Sequence, residues 1–159
     1  MSAKQSVNVG IVGLGRFGKL HARILTTLAG VNVVAATDPS PEAQAWAREV
    51  GIDTVYDTFA EILKHPDLDA LFLISPEDLH AEQAMPALDL GIPIFMEKPL
   101  STTIEGAQAI VQKANAAGIS MQIGFVLRFD AQSATVKQAI DNPDFGRVVL
   151  FHAKRNCSA

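Results

Sequence analysis

Residues 13–20, Gly-Leu-Gly-Arg-Phe-Gly-Lys-Leu, fit two phosphate-binding patterns at once. Gly13, Gly15 and Gly18 have the G-x-G-x-x-G spacing, in which a tight turn brings backbone N–H groups against a pyrophosphate. Gly13, Gly18 and Lys19 also fit the start of G-x-x-x-x-G-K-[ST], the loop that holds nucleoside triphosphates. The next position separates the two. A triphosphate loop needs a hydroxyl there to hold Mg²⁺, and this chain has Leu20. The dinucleotide reading gains from its surroundings, because the motif follows an apolar run and opens a helical pattern. Asp38 ends the next apolar run, twenty residues after Gly18. A carboxylate there can accept both hydroxyls of an adenosine ribose and repels a 2′-phosphate, which favours NAD over NADP. Gly13, Gly15, Arg16, Phe17, Gly18 and Asp38 are therefore candidate cofactor residues.

A second chemical candidate is Glu97-Lys98-Pro99, just past the apolar run 92–96. Open α/β sheets bind ligands at that end of a strand. A lysine beside a nicotinamide ring can share a proton with a substrate hydroxyl. Spacing alone favours a plainer reading, an ion pair between the adjacent Glu97 and Lys98. His21 and His80 fall on helical patterns, where a lone histidine is more often packed or solvated than catalytic. The four histidines, His21, His65, His80 and His152, form no i, i+4 pair and have no cysteine partner, so no metal site is expected. No G-x-S-x-G elbow occurs, so a serine nucleophile is not expected either.

These residues need a frame. The apolar runs 7–12, 31–37, 69–74, 92–96 and 119–125 are near-continuous, as strands covered on both faces are, and a weaker strand is expected at 54–56. Between them, Phe17, Leu20, Ile24 and Leu28 fall three or four apart and make one apolar helical face, with Gly30 beyond it as a C-terminal cap. Ser40-Pro41, Thr58-x-x-Glu61 and Ser75-Pro76-x-Asp78 each have the form of a helix start. Gly51, Gly91 and Gly118 are placed to close three further helices. The alternation predicts an α/β fold, a doubly wound parallel sheet of the Rossmann type over residues 1–125. Residues 126–159 break the rhythm: a helix over 130–140, a turn over 141–146, then a strand pattern over 147–155. They read as the start of a second α+β domain, whose unpaired strand would favour self-association or a domain swap.

Composition narrows the function classes. With 48% hydrophobic and 19% charged residues the chain has ordinary globular composition. Its 13 basic and 17 acidic residues sum to −4, and no Lys/Arg cluster occurs, so neither the net field nor a patch favours nucleic acid. The single cysteine, Cys157, admits no intrachain disulfide. No run approaches the length of a membrane span, and the N-terminal residues read as a strand instead of a leader. The expected location is the cytoplasm.

Four motifs in order, "GLGRFGKLHA", "ISPEDLHAEQAMPALDLG", "EKPLSTT" and "GFVLRFD", resemble the N-terminal domain of the glucose–fructose oxidoreductase/inositol dehydrogenase/rhizopine-catabolism (Gfo/Idh/MocA) family. The resemblance covers essentially the whole chain and is nearest the inositol 2-dehydrogenase branch. It implies that Lys98 lies near the nicotinamide and the substrate hydroxyl, often before a cis proline. It implies that Ser75, Pro76, His80 and Glu97 belong to the cofactor side, although Glu77 stands where many members carry Asn. It also implies that Arg128 and Asp130, with Lys98, face a polyol or sugar substrate. The ion-pair reading of Lys98 is thereby displaced. Members are about twice as long, and their second domain supplies an oligomerisation sheet and an Asp/His pair that works with the lysine; His152 comes too early to be that histidine. The sequence reading is thus an NAD-dependent polyol dehydrogenase represented by its cofactor domain. A non-catalytic NAD(H)-binding module, half of a split enzyme and an NADP-dependent sugar reductase stay open beside it.

Overall fold

The computed structural model describes residues 6–154. Cys157, the residues of the N-terminal reading before Ser6, and residue 155 of the expected last strand lie outside that range. The described residues divide after Gly124 into two compact units.

The first unit is a six-stranded sheet in the order β3-β2-β1-β4-β5-β6. Its strands are β1 (Val7–Val12), β2 (Val31–Thr37), β3 (Val55–Tyr56), β4 (Ala70–Leu73), β5 (Ile94–Met96) and β6 (Met121–Ile123). Every neighbouring pair is parallel. The connections carry α1 (Arg16–Leu25), α2 (Pro41–Glu49), α3 (Phe59–Ile62), α4 (His80–Asp89) and α5 (Ile104–Ala117). Helices cover both faces, so both faces of each central strand are apolar. On one face Val9, Ile11 and Ala36 pack with Ala22, Leu25, Ala43 and Ala47 of α1 and α2. On the other, Val12, Leu71, Leu73, Ile94 and Met96 pack with Ile62, Ala84, Leu88 and Ile110. Burial of this apolar surface on both sides is the main stabilising term.

Register is what positions the site. Val12 pairs with Thr37 and with Leu73, Thr37 with Tyr56, Leu73 with Met96, and Met96 with Ile123. All six strands therefore end level, and the next residue of each chain segment emerges at one edge. Those residues are Gly13, Asp38, Asp57, Ile74, Glu97 and Gly124.

The six strands expected over residues 7–125 and most helix starts are found. Ser40 caps α2 through Oγ, which accepts the Ala43 N–H at 3.3 Å, and Glu61 accepts the Thr58 N–H at 2.9 Å. Gly51, Gly91 and Gly118 all take positive φ beyond their helices, as expected of them. The third start differs, since α4 begins at His80 and not at Ser75-Pro76. The Ser75 hydroxyl donates to the Gln83 side chain instead of capping, and residues 76–79 make a turn closed by Leu79 N–H on the Pro76 carbonyl.

The apolar stripe expected to bury α1 does not. Phe17 (55%), Leu20 (50%), Ile24 (49%) and Leu28 (48%) are exposed, and Gly18, Ala22 and Leu25 face the sheet. Close approach is the reason. A Cβ on Gly18 would lie 1.9 Å from the Gly13 carbonyl oxygen, so the inner side starts with glycine and admits a large residue only at its far end, at Leu25.

In the second unit a 3₁₀ turn (Val126–Phe129) precedes α6 (Ala131–Asp141) and a second 3₁₀ turn (Pro143–Phe145). The expected strand over 147–155 does not form in the described residues 147–154, which have no regular structure, with Val149 and Leu150 largely exposed. A strand exists only through its ladder, and no partner strand pairs with this segment among the described residues. No helix among the described residues is long and apolar enough to cross a membrane.

Candidate functional site

A cavity of about 630 Å³ opens at the C-terminal ends of β1, β2, β3 and β4. It straddles β1 and β4, where the strand order reverses and connections leave for opposite faces of the sheet. Such a crevice is the usual ligand position in open α/β sheets. Gly13, Gly15, Arg16, Phe17, Asp38, Ser75 and Pro76 line it, all of them expected cofactor residues.

The three glycines of the loop do three jobs. Gly13 takes φ +88°, and a Cβ on it would meet the Ser75 backbone at 2.8 Å, so it makes the turn and lets the loops after β1 and β4 touch. Gly18 accommodates the Gly13 carbonyl, so its close packing is against the loop and not directly against the sheet. Gly15 differs from both: a Cβ there would meet nothing within 4 Å. Its freedom serves no packing in the protein, and it borders the cavity. It is also the N-cap of α1, with no capping side chain and no acidic residue in the first turn. The first N–H groups of a ten-residue helix are thus left for an anion, with the positive end of the helix dipole behind them. A pyrophosphate fits that cradle.

Asp38 works within the protein as well as on the cavity. Its Oδ2 accepts the Leu14 N–H at 2.7 Å and its Oδ1 accepts the Ser40 N–H at 2.8 Å. The carboxylate thereby ties the glycine loop to the start of α2. A carboxylate offers about four lone-pair sites, so acceptor capacity is left for a ribose.

Glu97, Lys98 and His80 do not line this cavity. Glu97 does not pair with the Lys98 side chain. Its Oε1 lies 3.0 Å from His21 Nε2, and its Oε2 accepts the Lys98 N–H at 3.2 Å. An ionised carboxylate only accepts, so Nε2 of His21 carries the hydrogen. The imidazole packs between α1 and the sheet, tilted against Phe95 at 5.3 Å, and Phe95 stacks on Phe72 at 4.8 Å. Gly124 leaves the room for this arrangement, because a Cβ there would meet Glu97 Oε1 at 3.1 Å. His80 is buried (1% exposed), with Nδ1 2.6 Å from the Pro99 carbonyl and Nε2 3.1 Å from the Ser75 carbonyl. It joins the loop after β4 to the loop after β5, where the Lys98–Pro99 peptide is cis, the isomer the resemblance implies. Lys98 itself is exposed, two residues past the end of β5, and its N–H is held by Glu97.

Arg128 and Asp130 belong to the second unit. There Arg128 lies over the Phe125 ring at 5.9 Å, and Asp130 caps α6 by accepting the Ser133 N–H at 2.9 Å. Sequence reasoning missed Asp57, Phe59, Pro39 and Gln83, which also line the cavity. For Asp57 a signal existed, since it directly follows the weak strand at 54–56.

Comparison with known proteins agrees with this geometry. The model of the Gfo/Idh/MocA family, described as an oxidoreductase family with an NAD-binding Rossmann fold, matches residues 7–125. A scyllo-inositol 2-dehydrogenase (NAD(+)) of Bacillus subtilis is 33% identical over 150 residues, covering 93% of this chain and 44% of that protein. An inositol 2-dehydrogenase of Agrobacterium fabrum is 37% identical over 157 residues, covering 96% of this chain and 47% of that protein. The crystal structure of a scyllo-inositol dehydrogenase from Lactobacillus casei with bound NAD(H) and scyllo-inositol superposes with a TM-score of 0.83 at 35% identity, over 89% of this chain and 42% of the other. The chain spans about half the length of the curated relatives it matches. It belongs to the Gfo/Idh/MocA oxidoreductase family and contains that family's NAD-binding Rossmann domain.

Proposed function

We propose that the chain is the cofactor half of an NAD-dependent dehydrogenase acting on a cyclic polyol of the inositol class. The observation that carries the cofactor assignment is the pairing of Gly15, which packs against nothing, with the uncapped N-terminus of α1 on the cavity. The substrate class rests on relatives that carry inositol dehydrogenase names and on one whose structure holds NAD(H) with scyllo-inositol.

In this reading the α1 N-terminus and Arg16 hold the pyrophosphate, and Asp38 accepts from the adenosine ribose. The bound nicotinamide supplies the hydride acceptor. Lys98, set on a backbone fixed by Glu97 and His80, shares the proton of the hydroxyl whose carbon is oxidised. Arg128 and Asp130 are substrate-side residues in the same proposal, drawn from the family motif they match.

A second reading keeps the cofactor site and removes the chemistry: the 159-residue chain binds NAD(H), and turnover needs groups that it does not carry. Its length relative to its relatives favours this for the isolated chain. One experiment separates the two. The chain is mixed with NAD⁺ and scyllo- or myo-inositol, and both NADH binding and NADH formation are followed. Polyol-dependent NADH formation that disappears in Lys98→Met supports the catalytic reading. Binding without formation supports the module, and absence of binding overturns both.

A further inference from the structure

Asp57 and Asp38 emerge side by side, one residue beyond the paired Tyr56 and Thr37, and both line the cavity. Their duties differ. Both oxygens of Asp38 are engaged by backbone N–H groups, those of Leu14 and Ser40. Asp57 accepts from a side chain instead: its Oδ1 takes the Gln44 side-chain N–H at 3.0 Å. The same Gln44 Nε2 donates to the Asp38 main-chain carbonyl at 2.8 Å. One nitrogen thus ties the exposed Asp57 carboxylate to the Asp38 backbone, within two hydrogen-bond lengths. The cation lining the cavity, Arg16, comes from the glycine loop at the start of α1.

Resting on the NAD-binding reading above, we propose that Asp57 is a second cofactor-selecting residue, and the one whose selecting role is separable from the fold. A 2′-phosphate carries about −1.5 to −2 charges, so two carboxylates at the ribose end repel it twice over. A ribose with free hydroxyls meets acceptors instead. Removing the Asp38 charge loosens the Leu14 and Ser40 contacts on which any dinucleotide depends. Removing the Asp57 charge touches only the repulsion. The plainer role for Asp57, a tether for the loop after β3, makes a different prediction. Asn in its place still accepts from Gln44 and leaves that tether whole.

The test is the ratio of NADPH to NADH affinity, measured by titrating the 159-residue chain and its variants with each nucleotide. Energy transfer from Trp46, the single tryptophan, gives the signal. Asp57→Asn is expected to move the ratio about tenfold toward NADPH, and Asp57→Lys further still. The shift is expected to shrink as salt is raised, which a tether would not explain. Asp38→Asn is expected to weaken both nucleotides and to gain little for NADPH. An unchanged ratio in Asp57→Asn and Asp57→Lys, with the wild type binding NADH, overturns this inference and leaves the cofactor reading standing. Failure of the wild type to bind either nucleotide overturns both.

Discussion

The loop after β1 and the loop after β5 leave the same edge of one sheet, yet they are held by different means. The glycine loop is held by local geometry: a positive-φ turn at Gly13, a contact between Gly18 and Gly13, and one carboxylate, Asp38, on the Leu14 N–H. The Lys98 loop is held by partners far away in sequence. His21 on α1 reaches Glu97, and His80 on α4 reaches the Pro99 carbonyl. Under the proposed function the first loop presents backbone N–H groups to the cofactor, which is where its glycines stand. Under the same proposal the second presents one side chain, that of Lys98, from a backbone held by others. Rigid support around a group proposed to react is what preorganisation requires.

The largest effect that would break this comparison is expected from Gly18→Ala. Its Cβ would lie 1.9 Å from a backbone oxygen that has no room to yield, so the α1 start and the turn must separate. A loss of about 3 kcal/mol or more is expected, read as a lower midpoint in thermal or urea unfolding. His80→Leu comes next. It leaves the Ser75 and Pro99 carbonyls without the imidazole, at about 1–3 kcal/mol for a buried acceptor left unpaired. A fall in Tm of about 2–10 °C follows for a chain of this size. Glu97→Gln should cost less, about 1 kcal/mol, because an amide oxygen can still accept from His21 or from the Lys98 N–H. The smallest effect on stability belongs to Gly15→Ala, within about 0.5 kcal/mol, since its methyl group enters open space. That variant nonetheless should lose NADH affinity by about tenfold or more, because the space is the proposed pyrophosphate's. Equal losses of stability in Gly15→Ala and Gly18→Ala would erase the distinction between a packing glycine and a binding glycine.

What was legible in the sequence follows the same division. The glycine loop, Asp38 and the strands could be read because their physics is local: a spacing, a turn, a run of apolar residues covered on both faces. The helix α1 was found by periodicity, but its buried face was not. Large apolar residues mark a stripe, whereas the inner side here begins with Gly18 and Ala22, small because the helix starts close to the glycine loop. The partners of His21, His80 and Glu97 were not legible for another reason. An adjacent Glu-Lys pair suggests an ion pair, and only the folded sheet brings a histidine from 76 positions away to claim the carboxylate. Asp57 carries little signal because it follows a two-residue strand and sits in no motif, although flush strand ends make it as well placed as Asp38. The segment 147–154 carries a strand pattern with no strand beside it, and pattern alone does not form a ladder.

The most direct test of the central claim is an amide NMR titration of the ¹⁵N-labelled chain with NAD⁺. The account predicts shifts at Gly13, Leu14, Gly15, Arg16 and Phe17 and at Asp38, Asp57 and Ser75, with α5 unmoved. Shifts confined to residues away from that edge, or none at saturating nucleotide, would contradict it.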